Sequence, residues 1–197
     1  MRILIVGASG HVGSAAARAL QPRHEVIGVS RSTRPAVDLL DPASVERLFA
    51  GLGEVDAVIS AYGSAPFKRA PELSAEDLEA AFRGKVLSQL NLLRIGLDHV
   101  RDGGSVTLTT GILAREPVPT GSAAALANGA VEAFVRSAAG ELPRGIRLNA
   151  VSPTVLASAP AYFDAFPGFE PVSDERVGQA FVRAVEGIAN GRVYELD

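Results

Sequence analysis

A chain of 197 residues with 47% hydrophobic and 21% charged side chains is long enough to bury one sizeable core and has the composition of an ordinary globular protein. The absence of cysteine excludes disulfides, thiolate metal sites and a cysteine nucleophile; His11, His24 and His99 are too scattered to form a ligand cluster, and a net charge of -3 without a basic stripe argues against nucleic acid as a partner. No apolar run reaches the roughly 18 residues of a membrane span, and the first residues lack the pattern of a secretory signal, so the expected compartment is the cytoplasm, with no membrane partner.

Strand-like apolar runs alternate with helix-period segments along the whole chain, without a linker or repeat, which predicts one α/β domain over residues 1–197 with a parallel sheet covered on both faces. In chain order the strands are expected at 2–6 ("RILIV"), 25–30, 36–40 ("AVDLL"), 56–60, 105–110, 146–152 and 192–196. The helices are expected near 12–20, 42–51, 74–99, 122–142 and 173–189. The third helix sets Leu78, Phe82, Val86, Leu90, Leu93 and Leu97 three or four residues apart on one face, which is core or interface. The fourth opens on the small residues "GSAAALANGA", which admit a second helix at close range. Residues 154–173, rich in Ala, Pro and Phe without a period, read as a mobile loop beside a ligand.

The first strand runs straight into "GASGHVG", and the chain then turns helical at "SAAARAL". Strand, glycine turn and helix in that order present backbone N–H groups and a helix N-terminus to a pyrophosphate, so Gly7, Ser9, Gly10, His11, Val12 and Gly13 are candidate cofactor contacts. A purely structural turn is the competing reading, and for His11 an unpartnered loop histidine. The second strand ends in "VSRS", where a dinucleotide fold reads the adenosine ribose. An acid there selects NAD, whereas Arg31 with Ser30 and Ser32 suits the 2′-phosphate of NADP; a solvated loop cation is the alternative for Arg31.

With "GASGHVG", "VDLLDPASV", "DAVISAYG", "GGSVTLTTG" and "ELPRGIRLNAVSP" in order, the entire chain resembles a compact short-chain dehydrogenase/reductase. The resemblance implies a doubly wound, seven-stranded Rossmann-type sheet, a nicotinamide dinucleotide across the carboxyl ends of its strands, and a homodimer or homotetramer built on the helices near 74–99 and 122–142. It places Asp38 and Leu39 at the adenine, Ser60, Ala61 and Gly63 in the turn beside the adenosine, and Pro153 and Val155 beside the nicotinamide. Ser60 and Ala61 replace two asparagines of the family pattern, Tyr62 replaces an alanine, and Thr154 replaces the glycine after Pro153.

The family's proton relay is a Tyr with a Lys four residues later, supported by a Ser and an Asn; the Lys depresses the Tyr pKa and the Ser holds the carbonyl. Here Ala124 stands at the Tyr position and Asn128 at the Lys position, Thr110 takes the place of the Ser, and the supporting Asn falls near Gly84. Alanine shuttles no proton and asparagine does not titrate. The candidate catalytic set is therefore Thr110 on the carbonyl, Asn128 on the nicotinamide ribose and Lys85 as the replacement acid, ahead of Tyr62 and Tyr162. Three readings follow: an NADP(H)-dependent oxidoreductase of a small, rather apolar carbonyl or alcohol; a catalytically silent NADP(H)-binding module; and a structural protein that has abandoned the nucleotide. Retention of the three glycines, Arg31 and Asp38 ranks the last lowest.

Overall fold

The alternation of apolar runs becomes six parallel strands in the computed structural model, which describes residues 1–197. β1 (Arg2–Val6) is buried along nearly its whole length, as a strand with helices on both faces must be, and lies between β2 (Glu25–Val29) and β3 (Val55–Ser60). Ile5 is in register with Gly28 on one side and Ile59 on the other. The sheet continues through β4 (Val100–Thr109), β5 (Arg147–Pro153) and β6 (Val193–Leu196), giving the order β2-β1-β3-β4-β5-β6. The chain winds one way from β1 to β2 and the other way from β3 onward, so the crevice beyond the carboxyl ends of β1 and β3 is the switch point at which such sheets hold ligands.

One face carries α1 (His11–Leu20) and α6 (Asp174–Glu186), whose Leu20 and Phe181 pack with Ile3, Ile5 and Ile59 of the sheet. The other carries α2 (Pro42–Leu52), α3 (Ala75–Ala81), α4 (Ser88–Gly96) and α5 (Ser122–Ala138), packed on Leu4, Phe49, Leu92 and Leu148. α2 starts where Asp41 accepts from Ala43 N with Pro42 at the first helical position, and α3 starts on a reciprocal capping box between Ser74 and Asp77.

Two expectations are corrected. The seventh strand at 36–40 is absent: Ala36 makes a single parallel bridge to Ser30, and the chain then leaves the sheet edge. Pro35 offers no N–H to a ladder, Asp38 N donates to Ser44 Oγ, and Asp38 Oδ1 accepts from Leu40 N, so the side chains satisfy a turn where a strand needs a neighbour. The expected helix over 74–99 is broken by a π-helical segment, Phe82–Leu87, between α3 and α4. In that widened turn Gly84 lies against Ser64, where a Cβ would come within 2.7 Å of the Ser64 carbonyl oxygen. The loop expected at 154–173 contains a short 3-10 helix, Pro160–Ala165.

Candidate functional site

β1 delivers the chain into the turn at Gly7, whose φ of +89° is left-handed and whose missing Cβ would otherwise stand 2.6 Å from the carbonyl oxygen of Ala61. A Cβ on Gly13 would collide with the Gly7 carbonyl, which lets α1 pack close under the turn. Gly10 meets nothing closer than 3.5 Å and forms the N-cap of α1 without any side-chain cap. The first amides of the helix therefore lack intrahelical partners at the edge of the crevice.

Two cavities flank this turn. The first, of about 440 Å³, is lined by Gly7, Ser9, Gly10, Ser30, Arg31, Ser32, Asp38, Leu39, Ala61, Tyr62 and Gly63. Its rim is shaped by the hydroxyls after β2: Ser30 Oγ lies 3.0 Å from Ser32 Oγ, and Thr33 Oγ1 accepts from Ser30 N at 2.7 Å while donating to the carbonyl of Ser30 or of Pro35. Arg31 is exposed on that rim and joins no ion pair or hydrogen bond within the protein.

The second cavity, of about 430 Å³, continues past Gly63 to the ends of β4 and β5. Ile112, Leu113, Leu156, Ala159 and Phe166 give it an apolar wall, and its titratable lining is His11, Lys85 and the mostly exposed Tyr162, with no carboxylate. Lys85 rises from the π-helical segment and lays its stem over Gly63, close enough that a Cβ there would strike it. The residue is half-buried, and its ammonium makes no hydrogen bond or ion pair within the protein; burial alone pushes its pKa from 10.5 down to about 8. Asn128, 6% exposed on α5, places its amide against Gly111 and leaves Oδ1 buried without a partner. Thr154 Oγ1 is orphaned in the same way. His11 Nδ1 is 3.2 Å from Ser158 Oγ, a link between the glycine turn and the loop after β5, so the histidine is not without a partner.

Behind this lining stand residues that sequence reasoning missed. Glu132, one turn beyond Asn128 on α5 and 2% exposed, accepts on Oε1 from Thr110 Oγ1 at 3.0 Å, Arg115 Nη1 at 2.9 Å and Ser152 Oγ at 2.9 Å, and on Oε2 from Arg136 Nη2 at 2.9 Å. Gln89, fully buried on α4, donates to the carbonyls of Lys85 at 3.0 Å and Thr109 at 2.9 Å and accepts from Thr109 N at 2.8 Å, which ties the turn carrying Lys85 to the strand end carrying Thr110. Ala124, Asn128 and Glu132 at steps of four trace one helix face, and that spacing was the available signal.

The expected residues thus divide. Gly7, Ser9, Gly10, Ser30, Arg31, Ser32, Asp38, Leu39, Ala61 and Gly63 meet around the first cavity, and His11, Val12, Lys85, Thr110, Asn128, Pro153 and Val155 around the second. Ser60 and Gly13 line neither: Ser60 is fully buried beneath the crevice with its carbonyl accepting from Thr109 Oγ1 at 2.6 Å, and Gly13 serves the packing of α1. Thr110, expected to hold a carbonyl, gives its proton to Glu132 instead.

Residues 10–190 match the model of a family described as enoyl-(acyl carrier protein) reductase. Over the full length of both chains the protein is 42% identical to protein lin1944 from Listeria innocua, with a TM-score of 0.97. It is 25% identical to a small-chain dehydrogenase solved in complex with NADPH, covering 100% of this chain and 96% of that one at a TM-score of 0.87. Among curated relatives, it is 30% identical over 115 residues to hydroxynaphthalene reductase arp2 of Aspergillus fumigatus, covering 58% of this chain and 42% of that protein. It is 28% identical over 176 residues to the hydroxynaphthalene reductase-like protein Arp2 of Metarhizium brunneum, covering 76% and 66%. The chain thus spans less than two thirds of the length of these curated relatives.

Proposed function

The chain belongs to the short-chain dehydrogenase/reductase family, and from that premise we propose that it is an NADP(H)-dependent oxidoreductase that reduces a small, largely apolar carbonyl compound with Lys85 as the proton donor. The observation that carries this reading is the half-buried, unpaired Lys85 ammonium at the wall of an apolar cavity that opens from the glycine turn.

The residues present fit a dinucleotide. The tight turn at Gly7 and Gly13 leaves open space at Gly10 beside uncapped helix amides, which suits a pyrophosphate. Arg31, free on a rim of serine hydroxyls, suits a 2′-phosphate, and the NADPH complex of a relative agrees with that preference. The orphaned Asn128 Oδ1 would accept from a ribose hydroxyl. When bound, the nicotinamide supplies or takes the hydride.

The remaining chemistry belongs to the chain. A carbonyl oxygen that gains charge needs a proton, Ala124 has none, and Thr110 has committed its own to Glu132. An ammonium with a pKa of about 8 is charged at neutral pH and a far better acid than an ordinary lysine, so Lys85 both attracts the oxygen and protonates it. Gln89 fixes the Lys85 turn against the end of β4, and the apolar wall limits water at the reacting centre.

The alternative, a silent NADP(H)-binding module, is favoured by Ala124 and Asn128, which leave no family proton relay. NADPH oxidation monitored over a panel of ketones and aldehydes separates the two. Turnover lost in Lys85→Met with NADPH affinity kept supports the enzyme; tight NADPH binding without turnover of any carbonyl supports the module. We further propose self-association through Leu78, Phe82 and Leu126, which are 38%, 44% and 54% exposed on α3, the π-helical segment and α5, and sedimentation of a Leu126→Lys, Phe82→Lys variant tests it. No helix is long and apolar enough to cross a membrane, and we propose that the protein works in the cytoplasm.

A further inference from the structure

Thr110 lines the reaction cavity at the end of β4 and is 4% exposed. Its hydroxyl has one proton, and that proton goes to Glu132 Oε1 at 3.0 Å. The Glu132 carboxylate acts there as an acceptor: it is buried between the Arg115 and Arg136 guanidinium groups and also takes the Ser152 hydroxyl on the same oxygen as Thr110. Thr110 is therefore held as an acceptor, and only its lone pairs remain for a ligand.

This reverses the polarity that a hydroxyl at this position would need to grip a carbonyl. A plain ketone offers acceptor lone pairs alone; it finds a partner in Lys85 and leaves Thr110 without one. A plain ketone makes no contact to the free lone pairs of Thr110, whereas a substrate donor beside the carbonyl adds one hydrogen bond there. We infer that the site is built for α-hydroxy carbonyl compounds, with the carbonyl oxygen on Lys85 and the neighbouring hydroxyl donating to Thr110, and that Glu132 is the positioning residue that sets this preference. The inference rests on the carbonyl-reductase reading above and specifies its substrate class. The substrate hydroxyl is not consumed: the carbonyl carbon gains the hydride, its oxygen gains the Lys85 proton, Lys85 recovers a proton from water, and a vicinal diol leaves.

The test uses two ketones of equal shape: methyl tert-butyl ketone, and the analogue in which one methyl of the tert-butyl group is a hydroxyl. The tertiary alcohol cannot be oxidised, so calorimetric titration of the NADP⁺-saturated protein reads recognition without turnover. The hydroxy ketone is expected to bind about tenfold more tightly, the worth of one matched hydrogen bond. The advantage should survive in Thr110→Ser and vanish in Thr110→Val, and kcat/KM with NADPH should follow the same order. Equal affinities, a preference for the plain ketone, or an advantage that persists in Thr110→Val would each overturn the inference, and the wild-type comparison stands even if a variant fails to fold. Binding of NADP⁺ with neither ketone recognised would overturn the substrate class and leave the dinucleotide reading intact. Absence of NADP⁺ binding would remove that reading and this inference together.

Discussion

Replacing Lys85 by methionine is expected to stabilise the fold while it removes turnover. Burial takes the ammonium from 10.5 to about 8, and at about 1.36 kcal/mol per pKa unit this sets at most about 3 kcal/mol against the folded state wherever the lysine is charged both folded and unfolded. Because the folded value is the lower one, the unfolded chain binds more protons between the two values, so wild-type stability rises with pH through that window. The penalty is complete below about 8 and gone above 10.5. Methionine keeps an unbranched stem over Gly63 and carries no charge. Urea unfolding of both proteins near pH 7 should therefore show a gain of about 1–3 kcal/mol for the variant, shrinking toward zero by the top of the window. A gain that does not change with pH would assign the effect to packing. No gain near pH 7 would refute the desolvation of the ammonium, and the proton-donor role would fall with it.

Arg31→Asp should weaken NADPH roughly tenfold to a hundredfold relative to NADH, the worth of one charged hydrogen-bonded contact, and an unchanged ratio in calorimetric titrations would show that Arg31 does not read the ribose. The glycines should separate by role. Gly13→Ala drives a Cβ into the Gly7 carbonyl and should cost about 1–3 kcal/mol of stability, whereas Gly10→Ala, with ordinary contact only, should leave the unfolding midpoint nearly unchanged and weaken dinucleotide binding. Glu132→Leu leaves the buried Thr110 and Ser152 hydroxyls without their shared acceptor and Arg115 with only the outer carboxylates of Glu195 and Asp197, and should lower stability by about 1–3 kcal/mol in urea titrations; a change within about 0.5 kcal/mol would mean the cluster is solvated.

Different parts of the molecule were legible to different depths. The geometry of the glycine turn was legible at two of its positions, because a left-handed φ at Gly7 and the close approach at Gly13 are conditions that only glycine meets, and they leave their mark in the sequence itself. Arg31 was legible by position, one residue past the bridge that ends the second strand. The run at 36–40 was not, because its apolar character satisfies the core through Val37 and Leu39 without requiring a ladder, and the serine and aspartate hydrogen bonds at Asp38 decide for a turn. Lys85 was named, but its partial burial was invisible: "FRGKVL" reads as ordinary helix, and only the widened turn against Ser64 aims the side chain across Gly63. Glu132 looked like a solvated helix charge paired with Arg136 at four residues, and what makes it part of the site is that β4, β5 and the segment after β4 converge on it.

By itself the sequence determined what depends on local backbone geometry and on period: an α/β chain with a parallel sheet and a tight glycine turn after its first strand. The tertiary structure alone decided which polar groups keep a free proton and which are spent. That depends on partners brought together from residues 85, 89, 110, 115, 132 and 152, whose hydrogen bonds cross the fold and leave no local pattern in the chain.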